Sequence, residues 1–166
     1  MLPLGALAAF ILFHAAESSG NSAVFHEAVV ALKDSAFNSQ SRTQEGFWVG
    51  DVTELYRWGV VSKQVAEADI APIRPLVPKP RPFHGYHVVA METAPGEADG
   101  QTIVLKGRER SKENFAFCIY PVGRGQQHRW VYIVTSIGIF GRATDSDQPI
   151  LKWPTGEWRK EWAIID

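Results

Sequence analysis

The sequence is poor in cysteine. Cys118 is the only one among 166 residues, so no intrachain disulfide can form and a hydrophobic core must carry the fold. A chain of this length can bury enough surface for one such domain. An excess of charge of one sign is missing too. Seventeen Lys and Arg against eighteen Asp and Glu leave a net charge of -1, which gives no electrostatic reason to expect a nucleic-acid partner. The locally basic stretch Lys106 to Glu113 is interleaved with acids and reads as a solvated loop. Catalytic signatures are lacking as well. There is no GxSxG elbow, no phosphate-binding Walker loop, no HExxH and no Rossmann glycine pattern. An apolar share of 45% is ordinary for a globular chain and excludes disorder over most of the length.

What is present is concentrated first at the N-terminus. Met1 to Ala16 is apolar except for His14, Glu17 is the first charged side chain, and no Lys or Arg precedes Lys33. A full membrane span needs about 20 apolar residues, so this run is marginal in length. It fits three readings. It is a signal peptide processed near Ser18-Ser19-Gly20, a retained anchor leaving the bilayer at Gly20-Asn21-Ser22, or a buried core helix. A soluble domain seldom exposes such a run at its terminus, so the anchor is the expectation, with Leu4, Leu7, Phe10, Ile11, Leu12 and Phe13 facing lipid. The missing basic flank leaves orientation poorly specified. The expected division is an anchor or signal-like segment over 1–20 and a single α+β domain over 21–166. The domain is expected to be membrane-anchored and periplasmic or extracellular.

From Ser22 to Phe37 the periodicity is helical: Val24, Phe25, Ala28, Val29, Ala31, Leu32 and Ala36 share one side, opposite His26, Glu27, Lys33 and Asp34. After a polar stretch, Asp51 with Glu54 forms a capping-box pattern that predicts a short helix carrying Leu55 and Tyr56. Gln64 to Asp69 adds a further helical turn. Pro72, Pro75, Pro78, Pro80 and Pro82 then rule out helix and central strand, which predicts an extended strap over the domain surface. A PxxP recognition role is the second reading of the strap. Alternating patterns over His84–Glu92, Asn114–Tyr120, Arg129–Thr135 and Ile137–Arg142 predict an antiparallel meander of three or four strands. Both faces of that sheet are apolar; one takes the N-terminal helix, the other the strap or a partner. In the tail, Trp158 and Trp162 stand one helical turn apart and predict a short docking helix.

Few residues are candidates for chemistry. Cys118 and His128 are the available thiol–imidazole pair, but Cys118 sits in an alternating apolar strand, where thiols are usually inert. His84 and His87 fall on opposite faces of a strand and no acid cluster joins them, so no metal site is expected. Asp145 and Asp147 read as a turn rather than a calcium loop. No cofactor and no catalytic residue are expected. Of the six tryptophans, most fill the core, and Trp158 with Trp162 are the candidates for a partner interface.

Three spaced segments then carry a likeness: Phe47-Trp-Val-Gly-Asp-Val-Thr-Glu-Leu-Tyr56, Pro75-Leu-Val-Pro-Lys-Pro80 with Gly85-Tyr86, and Asn114-Phe-Ala-Phe-Cys-Ile-Tyr-Pro121. With the hairpin at Ser136 to Phe140 and Trp153-Pro154, the chain resembles bacterial pilin-like (type IV pilin or pseudopilin-like) envelope proteins over roughly residues 22 to 166. It departs from the pilin pattern at Gly5, where a type IV pilin carries glutamate. The resemblance implies a long N-terminal helix packed on an antiparallel sheet and a structural or assembly role, with no catalytic residues to carry over. The expected function is a non-catalytic envelope subunit that contacts protein partners and, through its N-terminal helix, the bilayer. An accessory subunit of a larger membrane complex is the first alternative, and a secreted small-ligand binder or enzyme the second.

Overall fold

The computed structural model of the chain describes residues 52–59, 61–96, 102–105, 114–123 and 129–165. The apolar N-terminal run, the amphipathic stretch that follows it, the basic Lys106–Glu113 loop and His128 lie outside the described residues. No helix among the described residues is long and apolar enough to cross a membrane.

Two short helices open the described fold. Helix α1 (Val52–Arg57) buries Val52, Thr53 and Leu55 and is closed by Gly59, whose φ of 74° provides a left-handed helix end. Helix α2 (Lys63–Glu67) starts at Ser62, whose hydroxyl accepts the Val65 N–H at 3.3 Å. That bond satisfies one of the amides a helix start leaves without a carbonyl. Pro72 to Pro82 follows in neither helix nor strand.

The sheet has five antiparallel strands rather than three or four. Strands β1 (Tyr86–Ala90), β4 (Ala116–Pro121), β5 (Arg129–Thr135), β6 (Gly138–Thr144) and β7 (Ala163–Ile164) lie in the order β1-β4-β5-β6-β7. Strands β4-β5-β6-β7 are neighbours in chain order, with the segment 145–162 intervening before β7, and only the β1-β4 step is not consecutive. Between β1 and β4 the chain leaves the sheet to form a separate two-stranded ribbon, β2 (Thr93–Pro95) with β3 (Thr102–Val104). Backbone bonds hold the ribbon's base off the sheet: the Glu92 N–H donates to Leu151 at 2.7 Å and the Leu105 N–H to Glu92 at 2.9 Å. The Thr93 hydroxyl accepts the Trp153 N–H at 2.6 Å.

Register explains why both faces are apolar. Ala90, Phe117, Val134 and Ile139 align across four strands and point one way, while Val89, Cys118, Ile133 and Phe140 align and point the other. The first face is covered by Val52, Leu55, Val65 and Ala68 of the helical region. The second is covered by Ala94 and Leu105 of the ribbon region and by Trp153 and Trp162 of the C-terminal segment. The chain's own tail, rather than the proline strap, therefore supplies much of the second cover. Phe117, buried in the centre, is the type of side chain whose truncation to alanine costs about 3–5 kcal/mol.

The β1 edge is partly covered. Residues 68–70 run beside it, with the Val88 N–H donating to Ala68 and the Ile70 N–H to Val88, both at 3.0 Å. This short parallel bridge occupies backbone groups that would otherwise template pairing with another chain.

Candidate functional site

The residues singled out for chemistry are scattered: Cys118 is buried, His87 is half-buried, and His84, Asp145 and Asp147 are exposed. Cys118 is 0% exposed, and its Sγ accepts the Ile150 N–H at 3.3 Å. Burial pushes the thiol up to about 12, so it stays protonated and unreactive at neutral pH. His84 is not in a strand. It occupies, with Gly85, the two-residue turn closed by the reciprocal Phe83–Tyr86 backbone bonds, and both turn residues have positive φ (49° and 81°). That geometry is a type I′ hairpin turn. His87 lies in β1 with Nδ1 3.1 Å from the Ala68 carbonyl oxygen, and burial lowers its pKa. Among the described residues no three His, Cys, Asp or Glu side chains gather as metal ligands. Asp145 and Asp147 sit in a turn, where the Thr144 hydroxyl accepts the Ser146 N–H and the Ser146 hydroxyl accepts the Gln148 N–H, each at 3.1 Å.

Two surface regions remain. The first joins the helices to the strap. The Arg57 guanidinium donates to the Arg74 carbonyl at 2.9 Å, fastening α1 to the strap. The Arg81 N–H donates to the Glu67 carbonyl at 2.8 Å, fastening the far end of the strap to α2. The Glu67 carboxylate also pairs loosely with Lys63 at 3.6 Å and Arg81 at 3.7 Å. Between strap and helix lies a cavity of about 210 Å3, whose lining includes Ile70, Pro72, Leu76, Val77 and Pro78 together with Asp69. All five basic residues between 52 and 82 (Arg57, Lys63, Arg74, Lys79 and Arg81) are exposed, whereas Glu54 and Glu67 are half-buried and Asp69 is buried. Overall composition concealed this segregation of sign.

The second region is an aromatic–cation stack at the C-terminal end. Gly156–Glu161 forms a 3-10 helix lying over β6. The Arg142 guanidinium from β6 sits 5.3 Å from the Trp158 ring and 5.4 Å from the Trp162 ring, and its charge is paired with Glu161. Arg159 sits 4.6 Å from the Phe140 ring and 5.1 Å from Trp153, and donates to the Trp162 carbonyl at 3.2 Å. Each cation–ring contact contributes about 0.5–2 kcal/mol, more where water is excluded. The two predicted interface tryptophans part company here. Trp162 is 5% exposed and belongs to the core, while Trp158 is 41% exposed and stands on the surface.

The stack depends on Arg142 and Arg159, which the sequence did not single out, because nothing in their local pattern marks them as partners of tryptophan. No protein-family model, no curated protein and no solved structure matches this chain.

Proposed function

We propose that this chain is a non-catalytic structural or assembly subunit of the bacterial cell envelope, of pilin or pseudopilin-like kind. In this reading the apolar run Met1–Ala16 tethers it to the bilayer and the folded domain contacts protein partners. The observation that carries the protein-contact part is Trp158. It is a large aromatic side chain on the surface, held in place by Arg142, whose guanidinium also lies over the buried Trp162 ring. An aromatic side chain fixed before binding loses little rotamer freedom on contact, which is the property of an interface anchor. The tether rests on the sequence of the N-terminal run and the pilin-like likeness on its spaced motifs.

The test uses the full chain extracted from membranes in mild detergent. Native mass measurement and electron microscopy should show assemblies of many copies, and Trp158→Ala should dissociate them by tenfold or more without altering the circular dichroism spectrum. Recovery of a monomer in the aqueous fraction without detergent would remove the tethered-subunit reading. Assemblies containing one copy beside integral partners would instead select the accessory-subunit alternative.

A further inference from the structure

We infer that the face built from α1, α2 and the proline strap docks on anionic phospholipid headgroups. The inference rests on the membrane-tethered reading above, and it adds a second, electrostatic contact that orients the domain. Four observations meet on this face. The exposed charges between residues 52 and 82 are all positive, carried by Arg57, Lys63, Arg74, Lys79 and Arg81. The chain as a whole has a net charge of -1, whereas residues 52–82 hold five basic side chains against three acids, and the acids are the less exposed set. The cations stand on a frame fixed by the Arg57–Arg74 and Arg81–Glu67 backbone contacts and by proline-restricted dihedrals, so little ordering is needed on docking. Finally, Ile73 beside Arg74 is 50% exposed, an apolar tip among cations.

That combination suits a bilayer interface. Each Lys or Arg near an anionic membrane surface adds about 1 kcal/mol, or about fivefold in partitioning, and an apolar side chain can enter the boundary between headgroups and acyl chains. An acidic protein groove would be met by charge as well, but it would not call for an exposed isoleucine beside the cations of the strap. An apolar N-terminal run in the same chain would keep this face within reach of lipid.

The experiment places an environment-sensitive dye on the full chain through Ile73→Cys, with mass spectrometry confirming one label because Cys118 is sealed. The chain is mixed with phosphatidylcholine vesicles with and without phosphatidylglycerol. A blue shift with phosphatidylglycerol alone, reversed by molar salt and weakened about a hundredfold in lipid affinity by Arg74→Gln, Lys79→Gln and Arg81→Gln together, is the expected result. Co-sedimentation with both vesicle types without any dye shift would overturn the docking while leaving the tether intact. A shift on phosphatidylglycerol vesicles together with failure to sediment on phosphatidylcholine would remove the tether and keep the docking. An equal shift with polyglutamate or duplex DNA in the absence of lipid would overturn the lipid assignment in favour of a general polyanion surface.

Discussion

Cys118 should give the stability of this domain a limb at alkaline pH. Burial moves the thiol from its ordinary value of 9.0 to about 12, so the folded state holds its proton more tightly than the unfolded chain does. A group raised in this way stabilises fully below the unfolded value, and its contribution is lost as pH rises through the folded one. Using 1.36 kcal/mol per pKa unit, the loss between about pH 8 and about pH 10.5 is about 2 kcal/mol. The perturbation is Cys118→Ala, read by urea unfolding under reducing conditions at both pH values. At about pH 8 the variant should be the less stable by about 1–2 kcal/mol, since the Ile150 N–H loses its acceptor and a small void opens. At about pH 10.5 the two proteins should converge, because wild type alone suffers the thiol's deprotonation. Tyr120 is raised to about 12 too, first by burial and then by Cys118, Asp147 and Asp69; the burial and aspartate contributions are common to both proteins and cancel from the difference. Parallel stability curves over this range would refute the reasoning, and so would rapid reaction of the native thiol with a disulfide reagent at neutral pH.

Three further outcomes follow from the packing. Trp162→Ala should lower unfolding free energy by about 3–5 kcal/mol, whereas Trp158→Ala should cost about 1 kcal/mol or less, compared by chemical denaturation. Thr135→Val should destabilise by about 1–3 kcal/mol, because the buried hydroxyl accepts the Ile137 and Gly138 N–H groups at 3.2 Å and donates to the Gly138 carbonyl at 2.9 Å. Gly141→Ala would place a methyl 2.4 Å from Ile165 Cδ1 and 3.1 Å from the Trp130 ring. It should cost about 1–3 kcal/mol, and Ile165→Ala in the same chain should recover part of that loss in a double-mutant cycle.

The strand pattern was the most legible part of the fold. Phe115, Phe117 and Ile119 alternate with Ala116, Cys118 and Tyr120 in sequence, and the sheet sends the two sets to opposite cores. The helix at Val52–Arg57 was also readable, from the capping-box pattern of Asp51 with Glu54, and the turn read over Gln64 to Asp69 overlaps the helix at Lys63–Glu67. Strand β7 was not, because two residues carry no periodicity and pair only through the backbone of Phe140 and Gly141. Trp158 and Trp162 misled for a geometric reason. Four residues in an α-helix return nearly to the same face, but at three residues per turn they stand about 120° apart. The 3-10 helix and the extended Trp162 that ends it therefore leave one indole outside and put the other in the core. The cationic face was hidden because a composition count cannot tell that Glu67 and Asp69 turn inward while Lys79 and Arg81 do not.

The two surfaces lie toward opposite sides of the sheet, and this makes their roles separable. The strap face adjoins β1 through the 68–70 bridge, and Trp158 rests against Arg142 of β6. The sheet order places β4 and β5 between them, which at about 4.8 Å per strand spacing is about 14 Å. Substitutions further apart than about 7–10 Å with no shared partner combine additively within about 0.5 kcal/mol. A variant carrying Trp158→Ala together with Lys79→Gln and Arg81→Gln should therefore lose assembly as the tryptophan variant does and lipid docking as the cationic variant does, with neither loss deepened. Assembly measured in detergent and dye shift measured on vesicles report the two separately. If removing the cations also dissolved the assembly in detergent, where no anionic lipid is present, the strap would be part of the protein interface. The division of labour between the two margins of the sheet would then fail.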